Sequence, residues 1–98
     1  MNYYLLFYHT RDDYIARRAP YREQHLRLVR DAHARGEIVM AGALADPADQ
    51  AVLVFFAANK SVIEEFVKKD PYVGNGLITR WEIRPWTVVV GGVQKEQR

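Results

Sequence analysis

The spacing of apolar and polar positions divides the chain into strand-like and helix-like segments. Residues 1–9, carrying Asn2-Tyr-Tyr-Leu-Leu-Phe-Tyr8, are apolar on both parities, the pattern of a central strand with both faces covered. The charged stretch Thr10–Ala19, with its Arg17-Arg18 pair, leads to Pro20, whose missing N–H costs nothing in the first turn of a helix. A helix is predicted over Pro20–Arg35, because at 100° per residue Tyr21, Leu28, Val29 and Ala32 share one stripe with arginines and aspartate opposite. Gly36 ends it as a C-terminal glycine. Glu37–Ala41 makes a short second strand broken by Gly42, and Ala45-Asp-Pro-Ala-Asp49 makes a turn. Ala51-Val-Leu-Val-Phe-Phe-Ala-Ala58 is a nearly continuous apolar run, hence an interior strand. Ser61-Val-Ile-Glu64 reads as a capping box opening a second helix, whose Ile63, Phe66 and Val67 share a face. Asp70-Pro71 stops that helix, and Tyr72–Gly76 is a glycine-punctuated loop. Leu77–Arg84 then alternates, with Leu77, Thr79, Trp81 and Ile83 on one side and Ile78, Arg80, Glu82 and Arg84 on the other. Pro85-Trp86 kinks the chain before a β-prone run, Thr87–Val90.

The order is β-α-β-β-α-β, without repeat or linker, over a single domain spanning 1–90; residues 91–98, opened by Gly91-Gly92, form a polar tail expected to be disordered. This order specifies an α+β, ferredoxin-like arrangement: a four-stranded antiparallel sheet with two helices on one face. A chain of 98 residues has little length to cover the second face, which carries part of the aromatic first strand and the apolar third strand. A homodimer through that sheet face is therefore expected.

Composition narrows the chemistry. With no cysteine, the chain has no disulfide, no thiol nucleophile and no thiolate metal site. Fourteen Lys+Arg against 12 Asp+Glu, a net charge of +2, is too slight a balance for a nucleic-acid footprint. The chain opens on a strand rather than a basic and apolar leader, and no apolar stretch reaches the roughly 18 residues of a membrane span. The expected location is the cytoplasm.

His25 falls in the middle of the apolar stripe of the first helix and therefore points inward. Burying an imidazole is costly unless its nitrogens find partners; it is either a structural histidine bonded to backbone or a group with a task. Asp70 lies at a helix C-terminus, where the macrodipole disfavours a carboxylate; it is either a helix stop before Pro71 or a placed acid. Together they could form a dyad in which the carboxylate orients the imidazole for proton transfer, although spacing alone does not bring them together. Arg22, at the border of the same stripe, reaches an anionic substrate or simply solvent. Tyr3, Tyr4, Tyr8, Tyr72, Trp81 and Trp86 offer either core or a lining for a flat ligand. His9 and His33 read as exposed and lack carboxylate neighbours, so no metal site is expected.

These residues resemble the YciI-like (YCII-related) proteins of the dimeric α+β barrel superfamily. The resemblance runs from about Tyr3 to Trp86 and rests on the aromatic first strand, Arg22-Glu-Gln-His25-Leu, Gly36 before a strand, Ala41-Gly-Ala-Leu44, Phe55-Phe56 with its capped helix, Asp70-Pro-Tyr-Val73, Gly76-Leu77 and Ile83-Arg-Pro-Trp86. It implies a ferredoxin-like protomer packed on its twin and a cleft holding the family's histidine and aspartate, at His25 and Asp70 here. Members and superfamily neighbours act on small cyclic or aromatic metabolites by isomerisation, dehydrohalogenation or oxygenation, often without metal or organic cofactor. With the inward His25, this points to a lyase- or isomerase-type enzyme in which the His–Asp pair moves a proton; no cofactor is expected, and from their positions Arg22 and Tyr72 are the candidate substrate-binding residues. The turn around Asp46–Gln50 is shorter than in common members. The alternatives are a non-catalytic module binding a small molecule, and a His–Asp pair that only stabilises the protomer.

Overall fold

The structure, a computed structural model, describes residues 1–92. Its elements are β1 (Asn2–Thr10), α1 (Tyr14–Arg17), α2 (Ala19–Ala34), β2 (Ile38–Ala43), β3 (Gln50–Ala57), α3 (Lys60–Lys69), α4 (Pro71–Gly74) and β4 (Ile78–Trp86). The strands form one antiparallel sheet in the order β2-β3-β1-β4, so the two strands apolar on both parities are the two central ones. The helices pack on one face, giving a ferredoxin-like α+β fold. Of the tail expected to be disordered, residues 93–98 lie outside the described residues.

The core lies between the sheet and the helices. Cross-strand partners Leu6 and Leu53, Tyr4 and Phe55, and Leu6 and Ile83 put one parity of β1, β3 and β4 under α2, α3 and α4. Ala32, Ile63, Phe66 and Val67 close over them, with Phe66 set edge-on to Phe55 at 5.3 Å. Each fully buried Leu, Ile or Phe contributes about 1.5–3 kcal/mol, so this layer dominates stability. The opposite parity, Leu5 and Phe7 of β1 with Val52 and Val54 of β3, stays half-buried although it lies in the middle of the sheet. Met40 and Trp86 are 66% and 45% exposed.

Several local expectations are corrected. Asn59, not Ser61, caps α3: its side chain accepts from the Ser61 N–H at 3.0 Å, so no capping box forms. Gly42 does not break β2; it pairs with Val52, and the strand continues to Ala43. Tyr72 lies in a helical turn, α4, rather than a loop. The sequence parity of β4 fails because the register with β1 shifts between His9 and Thr10, which brings Ile78 inside together with Ile83. β4 also runs through Pro85, which a sheet edge tolerates because, among the described residues, no strand lies beyond it to need the missing N–H. Thr87–Val90 forms no strand: Trp86 already pairs with Tyr3, at the start of β1, leaving almost no backbone to pair with.

Candidate active site

α2 carries His25 on its inward stripe, and the side chain is 14% exposed. Its ring lies flat on that of Tyr72, 3.8 Å between centroids and 8° between planes. Its Nδ1 is 2.8 Å from Asp70 Oδ1, so the pairing that spacing alone left open is a contact of the fold. Asp70 is buried at the junction of α3 and α4, with an extended backbone. There it is the N-cap of α4, its Oδ1 accepting from the Tyr72 N–H at 3.0 Å, which gives a local reason for a carboxylate that the α3 dipole alone would disfavour. Asp70 Oδ2 accepts from the Tyr8 hydroxyl at 2.8 Å.

A buried carboxylate is tolerable only when its lone pairs are occupied, and here a phenol, a backbone N–H and an imidazole occupy them. Tyr8 is locked as a neutral donor, because burial, then the Asp70 charge and its hydrogen bond, push the phenol far above its usual ionisation range. With Asp70 as acceptor, His25 donates through Nδ1–H, the tautomer in which the lone pair sits on Nε2. Among the described residues, Nε2 has no hydrogen-bond partner.

His25 lines a cavity of about 260 Å³ between the N-terminal half of α2 and the ends of β1, β2 and β3. Tyr8, Tyr14 and Tyr72 form its aromatic wall, Leu26, Val29, Leu53 and Ile78 its apolar wall, and Arg18 and Arg22 stand at the helix end. Of the six aromatic residues considered from sequence, Tyr8 and Tyr72 line it. Tyr3, Tyr4, Trp81 and Trp86 do not, and the register puts Tyr3 and Trp86 on the opposite sheet face. Tyr72 Oη and Thr10 Oγ1 are buried without a hydrogen-bond partner, and both residues line the cavity. Burial raises the Tyr72 phenol, while Arg22, which approaches it without hydrogen-bond geometry, and Arg18 pull it back.

Tyr14, Thr10 and Arg18 were not singled out from sequence as site residues, and Tyr8 was read only as a candidate lining residue, not as the donor to Asp70. Arg18 had a readable signal: it stands four residues before Arg22 and seven before His25, on one helix stripe. Tyr8 had none, because its partner Asp70 is 62 positions away. His33 is exposed and its Nδ1 lies 2.8 Å from the Ile38 carbonyl, while His9 accepts from Arg80 at 3.1 Å. Among the described residues no group of three or more His, Cys, Asp or Glu could hold a metal, and no helix is long and apolar enough to cross a membrane.

Comparison with known proteins bears on the chain as a whole. The sequence model of the YCII-related domain matches residues 1–87. None of the curated proteins matches the sequence. Among solved structures, the chain is similar to 5-chloro-2-hydroxyhydroquinone dehydrochlorinase from Burkholderia phenoliruptrix AC1100, in complex with 2,5-dihydroxybenzoquinone. The two share 18% identity over 87% of this chain and 93% of that one, with a TM-score of 0.73.

Proposed function

The chain belongs to the YCII-related domain family, and on that premise we propose that it is a small acid–base enzyme of the lyase or isomerase type. One observation supports this: a buried carboxylate holds His25 by Nδ1, and His25 lines the cavity. His25 Nε2 takes a proton from an activated C–H of a monocyclic, hydroxylated substrate. Asp70 offsets the charge of the resulting imidazolium, and Tyr8 and the Tyr72 N–H hold Asp70 in place. Return of that proton to a neighbouring carbon isomerises the ring; departure of a leaving group completes an elimination. Arg22 and Tyr72 bind the substrate. One positioned base contributes about 10²–10⁴-fold, enough for an acidified C–H without metal or organic cofactor. The similar dehydrochlorinase acts, by its name, on a hydroxylated ring, which favours a substrate of this class.

The test is exchange of the ring protons of 2,5-dihydroxybenzoquinone in D2O, followed by proton NMR. The wild type should accelerate exchange, and His25→Gln should lose about 10²–10⁴ of that acceleration. Asp70→Asn should change which ring nitrogen of His25 carries the proton, read from nitrogen-15 shifts, and lower the rate with it. Saturable binding with no exchange would instead support a non-catalytic binding module.

The working unit in this reading is a homodimer whose two sheets pack face to face. The half-buried Leu5, Phe7, Val52 and Val54, in the middle of a sheet whose other face is covered by helices, support it.

A further inference from the structure

Two arginines, Arg18 and Arg22, line the cavity, and neither shares in the ion pairs of the described residues. Arg11 and Arg17 pair with Asp13, Arg35 with Glu37, and Lys68 with Glu65. Arg18 and Arg22 meet no carboxylate among the described residues. Arg18 sits over the Tyr14 ring at 5.3 Å and donates to its hydroxyl at 3.3 Å. No Asp or Glu lines the cavity, and both oxygens of Asp70 are engaged behind His25. Two guanidiniums at i and i+4 repel one another, so this end of the cavity is electropositive and uncompensated.

We propose that the cavity selects a monocyclic carboxylic acid, with Arg18 and Arg22 taking the carboxylate while His25 faces the ring, and that Arg18 is a specificity-determining residue. The proposal rests on the acid–base reading only for which end of the ligand reacts. Arg18, Arg22 and His25 follow one stripe, and the helical backbone of Arg18 continues α2 back by a residue. At about 1.5 Å per residue, Arg22 stands about 4.5 Å and Arg18 about 10.5 Å along the axis from His25, so both arginines lie to the same side of the imidazole, toward the N-terminal end of the helix. The cavity volume, about 260 Å³, exceeds the roughly 150 Å³ that admits benzene and falls below the roughly 300 Å³ where sites for larger ligands begin. A single substituted ring fits. Guanidinium forks match a carboxylate bidentately, and the two unpartnered hydroxyls, Tyr72 Oη and Thr10 Oγ1, are left for oxygen substituents on the ring.

The experiment compares two probes sharing a ring, 2,5-dihydroxybenzoate and benzene-1,4-diol, by calorimetric titration of the full chain. The acid should bind about tenfold tighter or more in the wild type, the worth of a charge-assisted hydrogen bond. Arg18→Gln should remove most of that preference and leave the diol's affinity little changed, and Arg18→Lys should restore part of it. Should loss of the Tyr14 contact unfold Arg18→Gln, seen as a lost melting transition, Arg22→Gln at the exposed rim must show the same loss of preference. Equal affinities in the wild type, a preference untouched by the variants, or no saturable binding of either probe would overturn the proposal. His25→Gln should keep the preference, so a failure of recognition is separable from a failure of proton transfer, which only the deuterium exchange reads.

Discussion

Asp70 gathers three hydrogen bonds onto one buried carboxylate, and its stability consequence is carried by Tyr8. Tyr8→Phe leaves Oδ2 unpaired in the interior and should cost about 1–3 kcal/mol at neutral pH, measured by urea denaturation. The same phenol makes stability pH-dependent. The unfolded chain loses the Tyr8 proton near its ordinary value of 10.0, whereas the folded chain keeps it well above. Above that pH the folded state binds more protons, so stability is full below it and falls as pH rises, by up to about 1.4 kcal/mol per pH unit. Tyr8→Phe should flatten that alkaline decline; an unchanged slope would show that Tyr8 is not the group responsible. At this scale the sequence was partly legible. The 3.6-residue stripe aimed His25 inward, and the helix-stop position singled out Asp70, but nothing local marked Tyr8, because a tyrosine in an apolar strand has the same pattern whether or not its hydroxyl meets an acid.

The elements were read from periodicity, and they departed from it where two elements share a residue or a register. Asp70 ends α3 and caps α4, so the loop expected after it is a helical turn that presents Tyr72 to His25. In β4, one shift against β1 exchanges which residues lie inside, something no alternation within β4 itself records. The start of α3 offers a direct test. Asn59→Ala should cost about 0.5–2 kcal/mol, since the cap on the Ser61 N–H is lost, while Glu64→Ala should cost markedly less because no capping box exists. Thermal melting of the two variants checks it, and a larger loss for Glu64→Ala would reinstate the box.

For the whole molecule, the packing that orders the core on one sheet face leaves the other face without helices among the described residues. β1 and β3 are apolar on both parities, and the helices cover one. A lysine at Val54, opposite Leu5, would place a charge in the middle of the proposed interface. Sedimentation at micromolar concentration should give a dimer for the wild type and a monomer for Val54→Lys; a monomeric wild type would refute the interface. The order of the four strands and two long helices, the identity of the central strands and the inward direction of His25 were determined by sequence alone, because each depends on periodicities of 2 and 3.6 that act over neighbouring residues, whereas the short helices α1 and α4 were not. Tertiary structure decided what those periodicities cannot carry. It brought Asp70, from the far end of the second helix, and Tyr8, from the first strand, onto one imidazole, and it left Arg18 and Arg22 beside a cavity without acids. The reason is physical: a buried carboxylate must collect donors wherever the packed elements offer them, and that choice is made by the packing of α2 and α4 against the sheet rather than by any spacing along the chain.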